Sequence, residues 1–357
     1  MNLYDTLTML RGVKAAKPTP SFLKDNYFPS TSADVFETAK VIADFENDTD
    51  DKLAPGVVKG SIPVQRDGFQ SHEYTAPLIA PSIPLSIEQL GERVFNESIV
   101  SDMTPQEKEA QHLANDIKKL DGMITRTEEY MAARTLLENA YTIKQYVNGY
   151  GTALAQPFSI NFFGEGFNSN QAVYLPGTPW TTSATTLLAD IAAMCRMLKK
   201  KGLPATDVIM GSQAADVFLR NTEIRGVLDN RRMQLVSDAV SPTELAPGAT
   251  YIGRFNANGN VVDIYCYDAT YIDDATDTET YFFDVDKIVV TAKSMGRIAY
   301  GAISQYEEGD TNAKTYPAAR VPHVTINRHD GIKEIALQSR PLVMPKHLNA
   351  AIVADVL

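Results

Sequence analysis

A chain of 357 residues with 44% apolar residues is long enough for a sizeable core and for two or three domains. Its 33 basic residues are outnumbered by 44 acidic ones, and a net charge of -11 with no basic tail argues against a protein that grips duplex nucleic acid. Two cysteines, Cys195 and Cys266, lie far apart and outside any C-x-x-C pair, so neither a disulfide framework nor a zinc site is expected and a reducing compartment is. Met1 to Asp5 carries no basic segment ahead of an apolar one, and no apolar run approaches the ~18 residues of a membrane span. The chain reads as soluble and cytosolic when made, and its start at Met1 gives no reason to expect loss of a large propeptide.

Residues 1–52 have no clear period. Short apolar pieces, Leu7 to Leu10 and Val35 to Ile42, alternate with Pro18, Pro20, Pro29 and the acidic run Glu46 to Asp51. This reads as an arm with short helical turns, not a packed domain. The acidic run lacks the glycine and distal glutamate of an EF-hand loop and is read as a solvated turn. Next, two strand-like runs, Gly56 to Gln65 and Gln70 to Pro84, flank Arg66-Asp67-Gly68-Phe69. Asp-Gly tolerates the positive φ that a tight hairpin turn needs. Little apolar periodicity and five prolines (Pro55, Pro63, Pro77, Pro81, Pro84) predict a hairpin that covers no core of its own and reaches for a neighbour.

A long helix is predicted from Thr104 to about Glu138. Thr104 can cap it, Pro105 suits the first helical position and Glu107 completes a capping box. Leu113, Ile117, Leu120, Ile124, Thr127 and Met131 form one narrow stripe, widened by Ala110, Ala114, Met123 and Tyr130. About 35 residues at 1.5 Å each would give a spine of ~52 Å, weakened at Gly122. A coiled coil is the alternative, though the heptad run is short.

Strand-like runs follow at Tyr141 to Val147, Ala155 to Phe163 and Gln171 to Tyr174. A helix is predicted from Ser183 to Lys201, closed by Gly202, with Lys199-Lys200-Lys201 complementing its dipole. Asp207 to Met210 is a short buried strand, after which Gly211-Ser212 opens another helix through Ala214, Val217, Phe218 and Leu219. This order is one α/β unit. From Thr250 the pattern is β: Tyr251 to Phe255, a hairpin turn at Asn258-Gly259, Val261 to Tyr267, Tyr281 to Phe283 and Lys287 to Thr291. Val321, His323, Thr325 and Asn327 then share one strand face, a turn follows at Asp330-Gly331, and Ile335, Leu337, Leu342 and Val343 close the pattern.

The inventory of chemistry is thin. Gly211-Ser212-Gln213 lacks the flanking glycines of a nucleophile elbow, so Ser212 is read as a helix cap. There is no phosphate-cradling glycine loop and no H-E-x-x-H. His323 and His329 are read as a surface pair, Cys195 as core and Asp273 to Asp277 as a loop tip. No catalytic, cofactor-binding or metal-ligating residue is assigned, and the chain is not read as an enzyme.

Taken in order, the arm, hairpin, spine helix, strands, α/β unit and β-rich return resemble the major capsid protein, the head protein E family, of lambda-type tailed bacteriophages. The residues that carry the resemblance are Tyr74-Thr75-Ala76-Pro77, Leu228 to Arg232, Gly296 to Ile303 and Gln338 to Leu342. It implies an α+β fold of the tailed-phage major capsid type. That fold would comprise an N-terminal arm at 1–53, an extended hairpin loop at 54–84 and a peripheral domain at 85–182 around a spine helix at 104–138. An axial domain at 183–285 and peripheral strands at 286–357 would follow.

The implied function is a head protein forming hexamers and pentamers of an icosahedral shell around double-stranded DNA, which it holds without sequence-specific binding. The extended loop would contact an adjacent subunit through Lys59, Arg66, Asp67, Gly68, Phe69 and Tyr74. Implied partners are further copies of itself, a scaffold protein, a portal and a decoration or cementing protein, with no membrane and no cofactor. A cementing partner rather than a cross-link through Lys59 or Asn349 is expected. The implied location is the virion, with assembly in the host cytoplasm. Three rivals stay open: a cargo-housing bacterial nanocompartment of encapsulin type, a cytosolic α/β hydrolase with a pocket at Gly211, and a tail-tube or adhesin subunit.

Overall fold

A computed structural model of the chain describes residues 21–46, 69–86, 105–145, 157–162, 172–181, 187–222, 224–225, 243–273, 277–307, 312–327 and 332–357. Helix α1 spans Phe22–Tyr27, and a single 3-10 turn follows at Ser32–Asp34. A helix of six residues cannot stand alone in water. This one is held by burial of Phe22, Leu23 and Tyr27. The ring of Phe22 stacks on Tyr267 at 5.7 Å and meets Tyr265 at 5.3 Å. The stretch expected as an unpacked arm is therefore part of the main core from Ser21 onward. Prolines had masked a compact aromatic cluster with no period.

Strand β1 (Lys40–Glu46) pairs antiparallel with β2 (Phe69–Thr75), from Lys40 opposite Thr75 to Glu46 opposite Phe69. The two arms of this hairpin are thus 40–46 and 69–75. The turn expected at Asp67-Gly68 and the strand-like run Gly56 to Gln65 lie outside the described residues. Val41 and Ala43 face the core, while Ile42 between them is 59% exposed. β3 (Ser82–Ser86) leads towards helix α2, Pro105–Glu138, whose 34 residues match the predicted span. Asn139, at φ 50, ends it, donating its N–H to Thr135 O at 3.0 Å.

β4 (Ala140–Ile143) pairs with β5 (Phe158–Asn161), and β6 (Val173–Tyr174) precedes helix α3 (Leu187–Lys200). Strand β7 (Asp207–Met210), helix α4 (Ser212–Arg220), β8 (Thr243–Ala246), β9 (Ala249–Ala257) and β10 (Asn260–Tyr267) follow. The β9–β10 turn falls on Asn258 and Gly259, at φ 49 and 91, as the Asn-Gly pair requires. β11 (Thr270–Asp273) pairs with β12 (Thr278–Tyr281). Phe282 and Phe283, predicted to continue a strand, are buried beyond its end. Then come β13 (Lys287–Thr291), β14 (Gly296–Tyr300), β15 (Ile303–Tyr306), β16 (Ala313–Tyr316), β17 (Val321–Asn327), β18 (Ile332–Gln338), β19 (Pro341–Pro345) and β20 (Ile352–Asp355).

The strands assemble around a seven-stranded sheet in the order β6-β20-β13-β7-β10-β9-β8. Its centre, β7, is buried at all four residues, parallel to β10 and antiparallel to β13. A boundary drawn at 285/286 falls between strands of this one sheet, because β13 and β20 pair into it. The resemblance implied a separate return to peripheral strands, but hydrogen bonding, not chain order, sets sheet membership. Helices α3 and α4 share an apolar core with this sheet, through Leu187, Ile191, Phe218, Val208, Ile264 and Ile288.

Helix α2 runs between two other cores. Its first half places Leu113, Ile117, Leu120 and Ile124 with Ile335 and Leu337 of β18, in the three-stranded sheet β17-β18-β3. Its second half is buried almost all round, and Met131, Ala132, Ala133, Leu136 and Leu137 join a cluster with α1, β14 and β19. The one-faced stripe read from sequence therefore describes only the N-terminal half.

Candidate functional site

Two consecutive carboxylates in the buried half of α2 organise the centre of the subunit. The side chain of Glu128 is fully buried, and Glu129 is 4% exposed. A charge that deep must be paired and hydrogen-bonded to be tolerated. Arg320, just before β17, grips Glu128 through Nη1 to Oε1 at 2.7 Å and Nη2 to Oε2 at 3.0 Å. Its Nε reaches Asp121 at 2.8 Å. Lys24 of α1 approaches Glu128 Oε2 at 2.6 Å, and the Tyr300 hydroxyl donates to Oε1 at 3.2 Å. Burial alone would raise the Glu128 pKa, but Arg320 and Lys24 outweigh it and hold the carboxyl below its ordinary value.

Glu129, the next residue of the helix, serves the start of α1. It accepts the backbone N–H of Leu23 and of Lys24, each at 2.9 Å, and the hydroxyl of Tyr267 at 2.6 Å. Ser21 Oγ also donates to it through a very short hydrogen bond. Ser21 makes no side-chain cap for α1, so the free N–H groups at that helix start are met by a carboxylate more than 100 positions further along the chain. Burial, then Glu129, raises the Tyr267 phenol. Sequence reasoning passed over both glutamates, because Thr-Glu-Glu-Tyr inside a long helix looks like a solvated face. The available signal was the run Met131-Ala132-Ala133 beside them, apolar where an exposed face would be charged.

Of the residues expected to touch a neighbouring subunit, Lys59, Arg66, Asp67 and Gly68 lie outside the described residues. Phe69 opens β2 opposite Glu46. Tyr74, opposite Val41, is half-buried with its ring edge-on to Phe162 at 5.3 Å, and burial raises its phenol. Its ring thus packs on its own subunit. The outward side of the same hairpin carries Ile42, with Lys40 paired to Glu73 at 3.1 Å.

The turn from β7 into α4 is crossed closely by the Asp284-Val285 backbone. Gly211, not Ser212, occupies the cap position. A Cβ on Gly211 would stand 2.3 Å from Asp284 O, so only glycine admits this close approach. The Gln213 and Ala214 N–H groups both donate to Val285 O at 3.1 Å, so the N–H after Ser212, the one a nucleophile elbow would offer an oxyanion, is already engaged. Ser212 was read as the cap because serine is a strong one; here a crossing carbonyl does that work.

His323 lies on β17 with its pKa lowered by burial against a weaker pull from Glu334, and His329 is outside the described residues. Burial pushes the thiols of Cys195 and Cys266 up to about 11. Among the described residues no group of three His, Cys, Asp or Glu stands close enough to hold a metal, and no helix is long and apolar enough to cross a membrane.

Comparison with known proteins places this geometry. A family model described as phage major capsid protein E matches residues 5–356. A protein assigned as the capsid protein of a prophage of E. coli CFT073 overlays with a TM-score of 0.63 at 15% identity, covering 99% of each chain. A phage-related protein from Bordetella bronchiseptica RB50 overlays with a TM-score of 0.52 at 10% identity, covering 99% of this chain and 97% of that one. At such identities the overlays establish the fold alone. No curated protein sequence matches the chain.

Proposed function

Because the chain belongs to the phage major capsid protein E family and is a structural capsid subunit, we propose that its copies form the hexamers and pentamers of an icosahedral shell around double-stranded DNA. The match over residues 5–356 carries this reading. The fold supports it: a 34-residue helix ties two cores together, and a hairpin leaves an aliphatic side chain exposed. Closed shells grow from heterologous contacts, which suit such projecting elements.

In this proposal the extended loop lies over an adjacent subunit and meets it through Lys59, Arg66, Asp67, Gly68, Phe69 and the hairpin side of Tyr74. The axial domain is built on residues 183–285 and shares its sheet with β13 and β20, while α2 and the β17-β18-β3 sheet form the peripheral domain. Assembly takes place in the host cytoplasm with a scaffold protein and a portal, and a cementing protein binds outside. The net charge of -11 keeps packaged DNA from adhering, since an acidic wall releases no counterions.

Sedimentation of the purified full chain tests the proposal. Megadalton particles are expected, with nucleic acid packaged only when portal and packaging proteins are supplied. A monomer or dimer at every concentration and salt would reject the shell. Particles that load an enzyme cargo instead of DNA would replace the phage head with a nanocompartment.

A further inference from the structure

We propose that Glu129, with Glu128 beside it, is a positioning residue for assembly: it fixes the seat of Ser21–Phe28 and hence the point from which the preceding chain starts. The proposal rests on the capsid reading above. It follows from where the cap of α1 comes from. A helix capped by its own neighbouring side chain carries its cap wherever it goes. Helix α1 does not: its Leu23 and Lys24 N–H groups donate to Glu129, and Ser21 Oγ is turned to the same carboxylate. Off that carboxylate α1 keeps only local bonds, such as Ser21 N–H to Asp25 Oδ2 at 3.2 Å, too few to hold six residues helical. Forming α1 and docking α1 are therefore one event.

The seat is also discrete. Glu128 and Glu129 hold Lys24 at both ends, one taking its ammonium and the other its backbone N–H. Beneath them Phe22, Leu23 and Tyr27 are at most 5% exposed, and the Tyr27 hydroxyl donates to the buried Asp207 at 3.1 Å. Sliding α1 by one residue would leave Glu129 buried without its backbone donors and Asp207 without Tyr27. Leaving such groups unmet costs more than the bonds contribute when made. The far side of the clamp is anchored to rigid strands: Tyr267 ends β10, Tyr300 ends β14 and Arg320 leads into β17. In the capsid reading the N-terminal arm meets neighbouring copies, and this clamp fixes where the arm leaves its own subunit.

Glu129→Gln in the full-length protein is the test. It keeps the volume and one acceptor oxygen but removes the charge. Expected is about a tenfold or greater loss of hydrogen-exchange protection at Leu23 and Lys24, with β7 and β13 amides unchanged. Faster tryptic cleavage after Lys24 and a loss of closed, uniform shells should accompany it. Val208→Ala, which weakens the other core without touching α1, controls for lost stability and should still give uniform shells wherever it is folded. Should Glu129→Gln not fold, Ser21→Ala removes one donor only and should show the same pattern in smaller degree. Wild-type protection at Leu23 and Lys24 in both variants, or uniform shells despite lost protection, would overturn the proposal. Failure of the wild-type chain to form shells would instead reject the capsid reading, and the exchange measurement would still judge the clamp.

Discussion

Arg320 and Glu128, 192 positions apart, meet in a two-pronged ion pair at 2.7 and 3.0 Å, with the carboxylate fully buried. The pair joins the spine helix to the entry of β17, and Lys24 adds α1 to the same knot. Removing one partner of a buried pair strands the other, at a cost of about 3–5 kcal/mol. Glu128→Ala and Arg320→Ala should each lower stability by that order in urea unfolding. The double variant should lose clearly less than the sum, because the second removal relieves a stranded charge.

The acid dependence follows from the same pair. The Glu128 carboxyl lies below its ordinary range in the folded chain, with Arg320 and Lys24 overcoming burial. Its stabilising contribution is therefore complete above the unfolded value, about 4.3, and is lost as pH falls through the lower folded value. The gap in unfolding free energy between wild type and Glu128→Gln should be widest near neutral pH and narrow as pH falls from about 4.3 through the lower folded value. A gap that does not change with pH would remove the ionic account of this contact.

Gly211 tests the account of the β7–α4 turn. An added Cβ would stand 2.3 Å from Asp284 O and 2.6 Å from Val285 C and O, all backbone atoms that cannot swing aside. Gly211→Ala should destabilise by about 1–3 kcal/mol or more through overpacking. Gly177→Ala, with nothing within 4 Å, should be near neutral in the same thermal melt.

Both cysteines should be slow towards a thiol reagent. Burial raises each thiol to about 11, so the thiolate is scarce near pH 7.5. Labelling with Ellman's reagent should be sluggish in the folded subunit and quick in denaturant, for two thiols per chain.

Ile42 separates folding from assembly. It is 59% exposed on the outer side of β1, between buried Val41 and Ala43. Ile42→Lys should leave subunit stability within about 0.5 kcal/mol. If the hairpin lies on a neighbour, shell yield should nevertheless fall sharply in a particle count.

Local rules made much of this fold readable. Asp207-Val208-Ile209-Met210 is a strand with four buried residues, three of them the apolar run that implied it, and Asn258-Gly259 is the turn that its chemistry requires. The stripe Leu113, Ile117, Leu120 and Ile124 foretold one face of α2. What stayed hidden depends on distant partners. Glu128 and Glu129 are read correctly only once Arg320, Lys24 and Tyr267 are brought to them. Ser212 lost the cap to the carbonyl of Val285, and Phe22 needed the aromatic rings of β10 to become core. The pairing of β13 and β20 into the sheet of β7 likewise joins segments that sequence order keeps apart.

Cryo-electron microscopy of particles assembled from the purified full-length chain tests the central claim most directly. The account predicts closed shells whose hexamers and pentamers fit this subunit, with the β1–β2 hairpin extending onto an adjacent copy. A uniform small particle, or a shell in which that hairpin touches only its own subunit, would contradict it.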